Sequence, residues 1–264
     1  TRRHVWLAGR RGWRVDLGWR LMLTLWIALQ FLSSLPIRLP GMPQSQELGR
    51  SLLFYPLVGV LFGLLLYGVS GLLSDAPLML HAALLLTLWV LLSGGLHLDG
   101  LADSADAWLG GFGDRERTLT IMKDPRSGPI AVVVLVLVLL LKFCALLALL
   151  EQGNGTALLI VPLIGRSALL AVFLTTPYVR AGGLGQALAD HLPRKAGWWV
   201  LGLSALVCVL LAGYPGWWAL GLAALGFVWL RRVMIRRLGG TTGDTAGALL
   251  ELLEVLVLVG LALI

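Results

Sequence analysis

Charge is scarce in this sequence. Asp, Glu, Lys and Arg together make up 13% of its 264 residues, against 58% hydrophobic side chains. A soluble domain cannot hide that much apolar surface, and several runs exceed the roughly 18 apolar residues that indicate a membrane span. Cysteine is nearly absent. Cys144 and Cys208 each lie inside an apolar run, which gives no support to a disulfide or a thiolate metal site. Acidic residues number 14 against 21 basic ones, a formal net charge of +7. That excess does not point to nucleic acid. The basic residues fall in short connections between apolar runs, where they report orientation and contact with anionic lipid headgroups. No internal repeat is evident, which counts against the inverted-repeat transporters. Arg2 and Arg3 precede an apolar segment, but no small-residue cleavage pattern follows, so no cleaved signal is expected.

Apolar stretches fall at about 51–73, 77–98, 128–150, 155–175, 197–212, 216–230 and 244–264. The turns Ser74–Ala76, Glu151–Asn154 and Gly213–Pro215 carry no Lys or Arg. Residues 99–127 carry four (Arg115, Arg117, Lys123, Arg126), 176–196 three (Arg180, Arg194, Lys195) and 231–243 four (Arg231, Arg232, Arg236, Arg237). Basic connections alternate strictly with bare ones, so the basic side is expected to face the cytoplasm. Leu21–Ile37 breaks the scheme. Arginines flank it on both sides, and Thr24, Gln30, Ser33 and Ser34 interrupt it, which suggests an interfacial or re-entrant helix, with a true eighth span as the alternative. The expected fold is therefore an all-α polytopic membrane bundle, about seven transmembrane helices plus that N-terminal helix, forming one domain over 1–264 with a basic tail at 1–18. Trp198, Trp199, Trp217 and Trp218 mark span ends. Gly59, Gly63 and Gly68 suggest close helix contacts.

The chemistry collects in GGLHLDGLADSADAWLGG, residues 94–111. At about 100° per residue, Asp99 and Asp103 lie roughly 40° apart and Asp99 and Asp106 roughly 20° apart. Three like charges on one helical face repel one another, and the arrangement makes sense if a hard divalent cation sits between them. The expected metal set is Asp99, Asp103 and Asp106 with help from Asp124, and the cytoplasmic connection 99–127 is expected to be catalytic. Bases that can hold phosphate lie beside the acids: Arg117, Lys123 and Arg126, with Lys123 and Arg126 the favoured partners. Gly110, Gly111, Gly113 and the amides opening a helix at Gly128 are further candidates. Acids beside bases suit phosphoryl transfer, where positioning and charge neutralisation serve the transition state.

A second patch, GGTTGDTAGALLELLE, spans 239–254. Asp244 and Glu251 share a helical face, and Glu254 lies roughly 15 Å deeper than Asp244 at the helical rise. Arg166 lies at a similar depth and Lys142 about 21 Å from Gly128. Charges that deep pair or line a cavity. Two readings stay open. In one, Asp244, Glu254, Arg166 and Lys142 contact substrate and Glu251 accepts a proton; in the other, Arg166, Lys142 and the glutamates only tie helices together. His97 reads more simply as an interfacial hydrogen-bonding residue than as a ligand or base.

The motifs GGLHLDGLADSADAWLGG, IMKDPRSGPI and GGTTGDTAGALLE, with RSLLFYPLVGVLFG, IGRSALL and PYVRAGGLG, resemble the cobalamin synthase family, the adenosylcobinamide-GDP ribazoletransferases, from about Leu29 to Glu254. The resemblance implies a Mg²⁺-dependent transfer. In it, the 3′-hydroxyl of α-ribazole or its 5′-phosphate attacks the cobinamide-bound phosphate of adenosylcobinamide-GDP and releases GMP. It implies a multi-pass protein of the cell inner membrane, with room for a homo-oligomer or an association with other enzymes of nucleotide-loop assembly. The chemistry is similar to that of the CDP-alcohol phosphotransferases. This chain departs from their motif in carrying Asp103 where they have Arg. From the residues alone the rival is an ion-coupled secondary transporter, but transporter sites lie near the midplane, whereas the densest acids here lie at a rim.

Overall fold

The computed structural model describes residues 5–180, 182 and 184–264, without the side chains of 5–17, 20 and 184. Arg2 and Arg3 of the basic tail thus lie outside the described residues. Among the described residues twelve α-helices make up most of the structure. In order they are α1 (Val5–Leu32), α2 (Ser45–Ser51), α3 (Tyr55–Leu72), α4 (Leu78–Ser93), α5 (Leu96–Gly110) and α6 (Arg115–Ile121). Then come α7 (Pro129–Glu151), α8 (Thr156–Thr175), α9 (Leu184–Asp190), α10 (Arg194–Ala212), α11 (Tyr214–Leu238) and α12 (Gly243–Ala262). Six segments are long and apolar enough to cross a membrane: α2 running through a 3₁₀ turn into α3, then α7, α8, α10, α11 and α12. The pair α4–α5 makes a seventh if it crosses as one broken span.

The inner elements are α8 and α12, and the others wrap them. Small residues set how close they come. A Cβ on Gly59 of α3 would lie 2.5 Å from the Pro162 carbonyl oxygen, and one on Gly63 would lie 2.7 Å from that of Leu159. Both glycines therefore let α3 pack backbone to backbone on α8, as the sequence suggests. Gly68 has nothing within 4 Å and carries no such contact. Pro162 lies inside α8. Having no N–H, it leaves the Leu158 carbonyl without its helical donor, on the side that faces Gly63.

Three boundaries differ from the sequence expectation. The N-terminal helix stops at Leu32 rather than Ile37. There Ser34 turns to seal another helix: its N–H donates to the Leu92 carbonyl at 2.8 Å and its hydroxyl to that of Leu91 at 2.6 Å. These are end carbonyls of α4, which lack intrahelical donors. The span expected at 77–98 breaks at Gly94–Gly95, where α4 and α5 meet at 86°. Both glycines have positive φ, +62° and +71°, a conformation side chains resist. Finally, α11 runs on to Leu238, so Arg231, Arg232, Arg236 and Arg237 are helical rather than in a loop.

Two of those arginines and two others, Arg115 and Arg194, cap helices. Arg237 donates to the Trp108 carbonyl at 2.9 Å, Arg231 to that of Thr175, Arg194 to that of Leu174, and Arg115 to that of Leu238 at 2.7 Å. All four carbonyls lie at helix C-terminal ends, where cations offset the dipole. These four arginines of the basic rim are thus structural. This narrows the search for a phosphate partner.

Candidate active site

A cavity of about 590 Å³ opens at the basic rim between α1, α5, α8, α9 and α12. Its polar lining includes Tyr55, His97, Asp99, Lys123, Tyr178, Arg180 and Asp244. Two stretches far apart in sequence build its mouth, and GGTTGD shows how. Gly239 ends α11 at φ +76°. Gly240 passes so close to Pro177 that a Cβ would lie 2.2 Å from its carbonyl oxygen. Thr241 then pairs with the segment after α8: its N–H donates to Pro177 at 2.8 Å and its carbonyl accepts from Val179 at 2.9 Å. Thr242 caps α12 in a reciprocal box with Thr245, at 3.2 and 2.8 Å. This locks Asp244 in the first turn, where Arg180 donates to its carboxylate at 3.0 Å. Sequence reasoning counted Arg180 only as a loop charge. The one signal that could have singled it out is its place in PYVRAGGLG. Tyr178 was missed likewise. Burial pushes its phenol up, Arg180 pulls it back and Asp244 adds to the rise, leaving a neutral hydroxyl at the wall.

The opposite wall is α5, which crosses α12 through two glycines. A Cβ on Gly100 would lie 2.8 Å from the Asp244 carbonyl oxygen, and one on Gly247 3.2 Å from the His97 Cα. This crossing brings Asp99 to the same cavity as Asp244. Gly100→Ala is therefore expected to push α5 and α12 apart, lowering stability by about 1–3 kcal/mol. Gly68→Ala, on an open helix face, is expected to hold or raise stability by up to about 1 kcal/mol. Thermal unfolding of the purified protein in detergent compares the two.

The structure divides the predicted acids. Asp103 sits in the negative field of Asp99, Asp244 and Asp106, offset by Arg180. Asp106 turns away to α7, where its carboxylate accepts the N–H groups of Gly128 and, at 3.0 Å, Ala131. It is a cap supplied from another helix, and it takes the amides that the sequence offers to a phosphate. Asp124 lies with Asp106 in a separate, shallower hollow, paired with Arg126 at 2.8 Å. The Arg126 side chain and N–H hold the Asp124 carboxyl down at about 2. Among the described residues no three His, Cys, Asp or Glu side chains converge as a set that could hold a metal ion. The four-carboxylate cluster expected from spacing is thus not assembled, because Asp106 and Asp124 face elsewhere.

The basic loop is divided too. Lys123 lines the main cavity, whereas Arg126 faces the shallower hollow. Arg117 lies over the Phe112 ring at 5.1 Å and lines neither. Gly111 packs so tightly on Thr118 that a Cβ would lie 2.1 Å from its hydroxyl oxygen, so it serves the turn rather than a phosphate.

Below the cavity lies a closed layer of charge. Lys142 donates to Glu251 at 2.6 Å and to Glu254 at 2.7 Å, and Arg166 donates to the other oxygen of Glu254. All four side chains are buried, and two cations balance two carboxylates. Lys142 and Arg166 rest over the rings of Trp89 and Phe62, at 5.1 and 4.6 Å. Gly165 makes room for Glu254. None of the four lines the cavity. Of the two readings the sequence leaves open, the geometry matches the interhelical tie, and it does not bring Glu251 to a substrate.

Fold and site together define a polytopic α-helical membrane protein with a cavity at one rim lined by carboxylates, a lysine and an arginine. Residues 24–262 match the family model described as cobalamin-5-phosphate synthase, and the chain belongs to that family. It is 76% identical over 242 residues to an adenosylcobinamide-GDP ribazoletransferase of Pseudomonas fluorescens Pf0-1, covering 92% of this chain and 100% of that protein. Similar relatives of the same description occur in Pseudomonas savastanoi pv. phaseolicola, 73% identical over 92% of this chain and 100% of that protein, and in Pseudomonas putida W619, 72% identical over 92% and 99%. No solved structure matches the chain.

Proposed function

We propose that this protein is a Mg²⁺-dependent adenosylcobinamide-GDP ribazoletransferase of the inner membrane, its cavity facing the cytoplasm. The reading is supported by relatives of that name over nearly the whole chain and by the alternation of basic and bare connections. The observation that carries it is one cavity lined together by Asp99, Asp244, Lys123 and Arg180. Lys123 and Arg180 neutralise the pyrophosphate of the activated substrate. The 3′-hydroxyl of α-ribazole, or of its 5′-phosphate, forms a new bond to the cobinamide-bound phosphorus and loses its proton to water. The bridging P–O bond breaks, and GMP leaves with the bridging oxygen.

Mg²⁺ commonly takes one or two protein carboxylates, the rest of its shell being water and substrate phosphate, so the lack of a three-residue cage does not argue against it. Asp99 and Asp103, one helical turn apart and repelling each other, would hold it. When bound it neutralises charge on the transferring phosphate. GMP release by the purified protein is the test. Release is expected only with both substrates present, and chelation of Mg²⁺ by EDTA should abolish it. A protein that releases no GMP under any of these conditions returns the transporter reading.

A further inference from the structure

The cavity has two chemistries. Lys123, Arg180, Asp99 and Asp244 give it a charged mouth, while Phe31, Leu32, Leu169, Phe173 and Leu188 give it an apolar wall. The rings of Phe173 and Tyr178 stack at 6.1 Å and 19° against that wall. His97 is a polar group that faces inward. It is 5% exposed, and its backbone crosses α12 at Gly247, where a Cβ would lie 3.2 Å from the His97 Cα.

His97 has no protein partner for its enclosed nitrogen. Its Nδ1 is fully buried and makes no hydrogen bond. Both carboxylate oxygens of Glu254 accept from Arg166 and Lys142, and no hydrogen bond joins this layer to the His97 Nδ1. An unpaired buried polar group costs about 1–3 kcal/mol, and native structures seldom keep one without a use. A tautomer with its proton on Nε2 leaves only an acceptor unpaired at Nδ1. His97 lines the cavity, so its imidazole is a buried polar group within reach of a ligand there.

We infer that His97 contacts the acceptor nucleoside, hydrogen-bonding a ribose hydroxyl while the apolar wall holds its flat base. This rests on the transferase reading above. A hydroxyl donates and accepts, so it suits the imidazole in either tautomer. The benzimidazole of α-ribazole has no exocyclic polar groups and matches a wall without partners for any. Guanine, with several donors and acceptors, does not match, and its phosphates draw it to Lys123 and Arg180. A cavity of about 590 Å³ encloses a nucleoside but not a corrinoid.

Equilibrium binding to the full-length protein in detergent tests this with two probes, α-ribazole and the free base 5,6-dimethylbenzimidazole. The wild type is expected to prefer the nucleoside by about tenfold or more, the size of one buried hydrogen bond. In His97→Leu that preference should vanish, and in His97→Asn part of it should return. A His97→Leu protein that keeps the wild-type preference overturns the inference. Should that variant fail to fold, Leu169→Trp decides. It narrows the apolar part and should weaken both probes by more than about tenfold, and unchanged binding of both overturns the assignment. GMP release measured in parallel separates the two levels. A wild type that releases no GMP counts against the transferase reading. One that releases GMP while the His97 and Leu169 variants bind both probes as the wild type does counts against this inference alone.

Discussion

Asn in place of Asp99 is expected to cut GMP release by at least about 100-fold, roughly 2.7 kcal/mol of transition-state stabilisation, without weakening the fold. The sign of the stability change makes the experiment decisive. Asp99 adds to the negative field on Asp103 and lines the cavity. If the pair served packing alone, removing one charge would relieve repulsion and leave activity untouched. Lost turnover at an equal or higher unfolding temperature is the signature of carboxylates kept for a bound cation. Asp103→Asn is expected to behave alike. Asp106→Asn should differ, because that side chain caps α7 through Gly128 and Ala131, and its first effect falls on stability, by about 0.5–2 kcal/mol. Equal activity of Asp99→Asn and wild type at saturating Mg²⁺ would remove Asp99 from the site.

Glu254→Gln is expected to destabilise the protein by about 3–5 kcal/mol. The change leaves Arg166 and Lys142 facing Glu251 alone, so a net positive charge is stranded where no water reaches. Replacing Arg166 by Met and Glu254 by Leu together restores the balance, since Lys142 and Glu251 keep each other at 2.6 Å. The double variant should recover most of the stability and turnover lost in the single one. A double variant that folds as well as wild type but releases no GMP would show that the layer contributes to the reaction and not only to the fold. The same logic applies to Lys142 with Glu251, which the spacing marks as catalytic and the structure places beneath the cavity.

The spans were legible in the sequence because a bilayer leaves little choice. Every backbone polar group must be satisfied within its own helix, and about 20 apolar residues are needed to cross. Composition and length therefore determine α7, α8, α10 and α12 to within a few residues. The Asp99–Asp103 pair was legible for a similar reason: both lie on one helix, where spacing alone fixes relative direction. Within-helix geometry reaches no further. Asp106 shares that face, yet it is drawn off by the free amides of another helix, and nothing in its spacing announces α7. Arg237 and Arg194 look like phosphate ligands by type, but each lies beside the carbonyls of a neighbouring helix end.

What the sequence determined by itself is the membrane class, the order of the spans and the family motifs. Which charges face one another was decided by the tertiary structure alone. Arg180 and Asp244 lie 64 residues apart and meet only because Thr241 pairs with Pro177 and Val179 across two loops. Lys142, Arg166, Glu251 and Glu254 come from three helices and close into a neutral layer only when α7, α8 and α12 pack together. The physical reason is range. Hydrophobicity and helical periodicity act along the chain and can be read from it, whereas an ion pair depends on distance in space and on the water excluded around it.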